Sequence, residues 1–347
     1  MTILTHDAIS DFITTTISNF KRLKYTDISM EFTEYVSASI LDEKRVVEDG
    51  GPDIKFDIKR SNTGTAINTG LYAQDHTNDE DVMTQGTVPW TKQTANWSYD
   101  IDLPDFQSER EVIVRLLAVK EQNALNDMVE LNEQNLWTAP TSSSDKRPMG
   151  VPYWMVKDAT TTPGGAFNGG NPSGFSAGAA GVSSTTYPRW RNWTFGYTNT
   201  STDDLVAKVK KAMWATKFMA PNPSPVLGYG KADWTIYTTY RVREPLERLA
   251  ETRNDNLGSD VARYIDSVLI GGVPVKAVPY LEANDTSDPL YGINWKVFRP
   301  FVKSGTYLRR TGPFRAAKQH TVREVHLDTF MNYCGYDRRQ LWVGSKS

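Results

Sequence analysis

Asp100, Asp102 and Asp105 form a close carboxylate cluster in this 347-residue chain. Asp100 and Asp102 alternate with apolar neighbours, so they share one face of a strand. A hard cation needs such converging oxygens. Acids are also depleted from buried positions, and we read the cluster as the solvated outer face of a strand. His6, His76, His320 and His326 are scattered, and none makes a zinc pattern with Cys334. His320 and His326 lie six positions apart, wrong for two ligands on one helical turn. Gly228-Tyr229-Gly230-Lys231 lacks both the spacing of a phosphate loop and its Ser/Thr. The serines lack a nucleophile elbow. Glycosylation sequons at Asn96, Asn192, Asn199 and Asn284 read as chance matches. The expectation is a protein with no catalytic residues, no cofactor and no metal, whose chemistry is that of surfaces.

Composition narrows the class. The formal net charge is −2, so the chain as a whole is not built to attract nucleic acid. Charge is nevertheless polarised. Basic residues dominate from Arg299 onward (Arg309, Arg310, Arg315, Lys318, Arg323, Arg338, Arg339), whereas Asp42 to Asp81 leans acidic. Such polarity suits head-to-tail contact between copies, although any single residue reads as ordinary solvated charge. Cys334 stands alone, so no internal disulfide is possible and a reducing compartment is expected. It reads as a buried apolar residue or a quiet surface thiol. No apolar run reaches membrane-spanning length, and MTILTHDAISDF lacks the pattern of a signal peptide.

The elements that must position these surfaces are organised around residues 106–137. Ser108 and Glu111 have capping-box spacing. Val114, Leu117, Leu125, Met128 and Leu136 then recur near helical period, and neither Gly nor Pro interrupts the run. Such a helix is about 45 Å long. Gln122, Asn123, Asn126, Asn132, Gln134 and Asn135 predict a long polar face and a helix packed on one side only. Upstream, Ile9, Phe12, Ile13, Ile17 and Phe20 predict a modest amphipathic helix within an extended arm.

Residues 44–104 read as β. Ile54, Phe56 and Ile58 alternate with Lys55, Asp57 and Lys59 after the Gly50-Gly51-Pro52 turn. Trp97, Tyr99, Ile101 and Leu103 alternate with polar residues and are read as the partner strand, with the polar passage Ser61–Gly86 between them as a loop. Together with Trp90 these side chains give the ribbon one apolar face, and two strands cannot shield such a face themselves. Ile54, Phe56, Ile58, Trp90, Trp97, Tyr99 and Ile101 are therefore the expected contact residues between copies.

Residues 163–186 are rich in Gly, Ser and Ala and are expected to bury little and to be dispensable for the fold. Tyr187–Tyr197 reads as a segment pinned to a core by its rings. Residues 200–300 alternate helix and strand. A helix is capped at Ser201 or Thr202, and strands are predicted at Trp234–Thr238, Ser267–Ile270, Val273–Val278 and Tyr291–Phe298. Pro245 is placed in the first turn of a further helix. The tail Gln319–Tyr333 alternates again, and its strands are expected to flank the long helix.

This order of parts resembles the major capsid protein of tailed bacteriophages, with its Hong Kong 97-like fold. The stretches that carry the resemblance are Val46–Gly51 with Ile54–Ile58, Ser108–Trp137, Met149-Gly150-Val151, Tyr187-x-x-Trp190, Tyr291–Asn294 and Gly335–Arg339. The resemblance implies an α+β fold divided into an N-terminal arm (1–43), an extended β-ribbon loop (44–105), a spine helix with the first part of a peripheral domain and its Gly-rich loop (106–199), an axial domain (200–300), and the return of the chain to the peripheral domain (301–347). It implies a homo-oligomer of pentamers and hexamers in an icosahedral shell around double-stranded DNA. Portal, scaffolding and decoration proteins are the implied partners, and the virion, assembled in the host cytoplasm, the implied location. The basic tail and residues such as Lys120 are expected near DNA by sequence-independent attraction. No long acidic or helical segment precedes the arm, so a fused scaffold is not expected. Some relatives join subunits through a Lys–Asn isopeptide bond promoted by a Glu. Lys55, Lys59 or Lys92 with Asn332 and Glu324 supply the residue types, and non-covalent clamping is the default expectation. The alternatives are an encapsulin-like compartment shell and, less favoured, an extracellular β-rich binding module.

Overall fold

The computed structural model describes residues 29–61, 66–71, 81–102, 110–158, 164–218, 232–251 and 268–346. The chain is α+β and divides into two compact units. The smaller one draws, among described residues, on 29–33, 94–128 and 310–327, and the larger one takes the rest. The expected arm helix, the Ser108 cap and Leu103 lie outside the described residues.

In the larger unit, helix α1 (Val36–Glu43) leads into strand β1 (Val46–Glu48) and then into a ribbon of β2 (Asp53–Lys59) and β3 (Met83–Pro89). The register pairs Ile54 with Val88, Phe56 with Gly86 and Ile58 with Thr84. This corrects the sequence reading, which gave β2 a partner at Trp97–Leu103. The segment MTQGTVP holds only Val88 and Met83 as large apolar residues, and so reads as loop. Gly86 is what the pairing requires: a Cβ there would stand 2.5 Å from the Phe56 ring. Strand β4 (Thr91–Asp100) instead pairs with β13 (Val322–Gly335).

The long helix α2 runs Arg110–Trp137, 28 residues. Its last turns belong to the larger unit, where Leu136 and Trp137 join a core with Val36, Ile40, Leu41, Trp154, Phe298 and Tyr333. The expectation of packing on one side fails in these turns, because Asn132, Glu133 and Asn135 are buried there too. Helix α3 (Val151–Trp154) follows, with Pro152 in its first turn.

A seven-stranded mixed sheet completes this unit. Its order is β5 (Ala166–Gly169), β6 (Asn192–Tyr197), β14 (Trp342–Lys346), β10 (Leu290–Asn294), β7 (Trp234–Thr238), β9 (Val273–Ala277) and β8 (Leu269–Ile270). β6 and β10 are buried along their whole length, as befits strands covered on both faces. Helices α4 (Ala207–Ala215) and α5 (Tyr240–Glu251) contribute Val209, Ala212, Val242 and Leu246 to the core beside this sheet. The π-turn Thr202–Val206 leads into α4, and Ser201 Oγ accepts from Asp204 N, which fulfils the predicted cap. Pro245 lies inside α5 rather than in its first turn, because the helix starts at Tyr240, on a turn closed by the Thr239 carbonyl. The predicted strand Tyr291–Phe298 divides into β10 and β11 (Phe298–Lys303), which belong to different sheets. Helix α6 (Pro279–Asn284) precedes β10.

The Gly-rich segment is also a correction. Ala179, Ala180 and Val182 are fully or almost fully buried. Thr87 N donates to Ala180 O, Ala180 N to the Tyr153 hydroxyl, and Trp190 Nε1 to Ala179 O. Small side chains bury little surface of their own, but they let backbone approach the core closely enough to bond it.

In the smaller unit, β12 (Arg309–Arg315) pairs with the first half of β13. Val325 and Leu327 pack with Trp97 of β4 and Ala124 of α2, with Leu117 and Leu125 alongside. The tail strand does flank the long helix, as its alternation predicted.

Candidate assembly surfaces and the nodes that position them

The ribbon's root is fixed by Asn332. Its side-chain oxygen accepts from Met149 N at 2.7 Å and Tyr333 N at 2.8 Å, while its amide nitrogen donates to Pro89 O at 2.7 Å. Asn332 is completely buried. Its amide is thus consumed by structure, which removes it as a partner for an isopeptide bond. Lys92 turns to Asp328 at 3.2 Å.

Arg338 is a second node, fully buried and with no ion pair among the described residues. Its guanidinium donates to Trp154 O, Trp190 O, Gly169 O, Gly170 O and Asn192 Oδ1, at 2.8 to 3.3 Å. Burial lowers its pKa to about 10. A planar fork of donors ties α3, the Gly-rich segment and β6 together, which no point-charged lysine reproduces. Sequence reading set Arg338 among surface basic residues. Its place in Gly335-Tyr-Asp-Arg-Arg339 was the available signal. Cys334, in β13, is a buried core residue whose thiol is pushed up by burial.

Glu133 is the third. Its carboxylate accepts from Ser37 N and from Trp137 Nε1, both at 2.7 Å. Burial raises its pKa against the opposing pull of these donors.

The seven residues expected to face a copy divide. Ile54 (2 % exposed) and Phe56 (8 %) lie in the chain's own core, with Ile58 and Trp90 packed against it. Phe56 meets Tyr336 edge-on at 5.4 Å and Trp190 at 6.4 Å. Trp97 (8 %) sits in the small unit's core with Tyr99 beside it, and Arg310 stacks on its ring at 5.7 Å. Ile101 is open at 43 %. The apolar face is therefore largely covered within one chain, because separate partners share the work: the Gly-rich segment with Trp190 and Tyr336 covers Ile54 and Phe56, and β13 with α2 covers Trp97. What stays exposed near the ribbon is Ile67, Leu71 and Met83 toward its far end.

Among the carboxylates, Asp100 accepts from Thr321 Oγ1 and from Asp102 N, and Asp105 is outside the described residues. Lys120 donates to Ser98 O at 2.8 Å, against β4, with its pKa lowered by burial. Among the described residues no group of three or more metal-ligating side chains converges, and no helix is long and apolar enough to cross a membrane.

No family model and no curated protein sequence matches this chain. Solved structures do. With long helix, ribbon and mixed sheet in this order, the chain has the fold of phage capsid proteins. It is similar to the capsid chain of cyanophage A-1(L), at 15% identity over 93% of this chain and 95% of that one, with a TM-score of 0.62. The capsid of a native GTA particle follows at 11% identity, 96% and 98% coverage and TM-score 0.54, and the capsid of Myoviridae phage XM1 at 9%, 95% and 97%, and 0.53.

Proposed function

We propose that this chain is a major capsid protein, the self-assembling structural subunit of an icosahedral tailed-phage head that encloses double-stranded DNA, and not an enzyme. The observation that carries the reading is the end-to-end match to the cyanophage A-1(L) capsid chain, 93% of this chain against 95% of that one. A match over the whole of both chains leaves little of this one for another activity. On this reading residues 1–43 are the arm, anchored by α1, and 44–105 the extended loop. Residues 106–199 hold the spine and the first part of the peripheral domain, 200–300 the axial domain that meets its copies at a capsomer centre, and 301–347 the return. Pentamers and hexamers of the chain close the shell through heterologous contacts. DNA is held by non-specific charge attraction, and portal, scaffold and decoration proteins join in the host cytoplasm.

The test is expression of the whole chain followed by sedimentation and negative-stain microscopy. Closed particles are expected, alone or with a scaffold supplied. A single folded monomer under every condition of salt, concentration and scaffold sinks the reading.

A further inference from the structure

Helix α4 buries one side and leaves the other bare. Val209 and Ala212 are fully buried beside the mixed sheet, whereas Lys210, Lys211, Trp214 and Lys217 are exposed. Positions 210, 211 and 214, with 217 just past the last turn, recur at three- and four-residue spacing and so form one stripe along the helix. Trp214 stands 79 % open at its middle.

The charge of this stripe is one-sided. Between Ala207 and Phe218 the chain carries four lysines, Lys208, Lys210, Lys211 and Lys217, and no acidic residue. Lys208 is spent within the fold, on Gly196 O and Asp204, while Lys210 and Lys217 have no ion pair among the described residues. Lys211 donates to Gly164 O at 2.8 Å, which fixes its position and leaves its charge unneutralised. The acidic Asp203 stands about two turns before Lys210, beyond the other end of the helix.

Three lysines spread over about 10 Å around a bare aromatic ring fit a regular polyanion. Each strand of duplex DNA offers one phosphate per about 3.4 Å of axis, and the sugar edges between phosphates give an apolar ring a surface to lie on. Lysine is a flexible point charge and meets phosphates without demanding a fixed geometry or a base sequence. A protein partner would have to set carboxylates at this spacing, in register with every copy. We propose that the Lys210–Lys217 face of α4 is the surface through which the subunit holds packaged duplex DNA. Lys210, Lys211 and Lys217 meet phosphates, and Trp214 lies against the sugars between them. The inference rests on the capsid reading and turns this face to the interior of the shell.

Duplex binding by the full chain tests this. Unassembled subunits and closed particles are each titrated into a labelled duplex of about 30 base pairs and arbitrary sequence, across a salt series. Lys210→Gln with Lys217→Gln is expected to weaken binding by subunits about tenfold and to lower the slope of log affinity against log salt by about two. Trp214→Ala should weaken binding with that slope unchanged, because no phosphate contact is lost. Lys146→Gln with Lys276→Gln removes the same charge from exposed sites elsewhere and should leave affinity and slope near wild type. Circular dichroism melts and particle yield should be unchanged in every variant, since the altered groups are exposed. Wild-type affinity and slope from the α4 pair overturn the proposal, as does an equal loss from the Lys146 and Lys276 pair. Binding of external duplex by closed particles that the α4 pair abolishes would turn this face outward and overturn it too. Particle loss with unchanged duplex binding would make the face a contact between copies instead. If the unaltered chain forms no particles under any condition, the capsid reading falls, while the titration of subunits still decides whether α4 holds DNA.

Discussion

The Glu133 carboxylate accepts a hydrogen bond from Ser37 N at 2.7 Å, across 96 residues of chain. Ser37 lies in the first turn of α1, and Tyr35 at the cap position supplies no side-chain cap. Glu133 of the long helix thus does for α1 what a local Ser or Asp ordinarily does, and its negative charge faces the positive end of that helix. Tyr35 adds a bond from its hydroxyl to Glu130 at 2.9 Å. The point where the chain enters its first described helix is therefore set by the end of the long helix.

Glu133→Gln should cost about 1–3 kcal/mol, because an amide turns an N–H toward either Ser37 N or Trp137 Nε1 and leaves one donor unpaired. Glu133→Ala should cost more, by leaving both donors unpaired. Since burial raises the Glu133 pKa, the folded state binds its proton more tightly than the unfolded one. That contribution to stability is complete below the unfolded value and lost as pH rises through the folded one. The gap between wild type and Glu133→Gln should widen as pH falls from 7 toward the ordinary carboxylate range. Urea melts at pH 7 and pH 5 measure it; a gap independent of pH would contradict the assignment.

Arg338 predicts a sharper loss. Arg338→Lys keeps the charge but serves fewer of the five acceptors, and Arg338→Met serves none. Each lost hydrogen bond from the charged guanidinium costs about 1.5–3 kcal/mol, and buried acceptors are left unpaired. Both variants should melt far below wild type or fail to accumulate, with Lys no better than partly protective. A Lys variant as stable as wild type would show that charge alone, not the planar fork, holds α3 to β6.

What the sequence made legible was periodicity. β7, β9, the tail strand β13 and the long helix fall where alternation and helical spacing put them. The partner of β2 did not, since pairing is decided by shape at a distance: Gly86 has no side chain to signal that Phe56 lies across it. Arg338 was misread, and Glu133 passed over, for a related reason. Their residue types belong on surfaces by composition, and only the fold brings five acceptors to one and two donors to the other. Ala179 and Ala180 escaped because backbone, rather than side chain, is what they bury.

Gly150 should be intolerant of any side chain. A Cβ there would lie 2.3 Å from Asn135 O, 2.7 Å from Leu136 O and 2.8 Å from Thr138 O, all backbone atoms at the end of α2. Gly150→Ala should cost about 1–3 kcal/mol or more. Gly164, with nothing within 4 Å of its own Cβ position, should accept Ala within about 0.5 kcal/mol. Equal melting temperatures for the two variants would mean that the α2 terminus yields.

Trp97 and Ile101 separate the chain's own core from its surface. Trp97→Ala removes a nearly buried ring from the cluster with Ala124, Val325 and Leu327, and should destabilise by about 3–5 kcal/mol. Ile101→Ala, at an exposed site, should leave stability within about 0.5 kcal/mol. If Ile101 touches a copy, as its sequence pattern led us to expect, particle yield should fall while the melt stays put. A destabilised Ile101→Ala subunit would place that side chain in the fold instead.

The far end of the ribbon gives the cleanest division between folding and assembly. Arg60 N donates to Val82 O at 2.8 Å, and the Arg60 guanidinium pairs with Asp81, closing the ribbon at that point. Replacing residues 62–80 by a short Gly/Ser linker therefore leaves the β2–β3 register and the burial of Ile54, Phe56 and Val88 intact, whereas a cut reaching Gly86 would remove half of β3. Loop length itself adds only about 0.6 kcal/mol per doubling, so shortening should not lower the melting temperature. A folded subunit with native helix content and a cooperative melt is expected, together with loss or fragility of particles if, as the capsid reading proposes, the extended loop meets a second copy. Normal, equally stable particles from the shortened chain would refute this, and so would collapse of the subunit, which would place the removed segment within its own core.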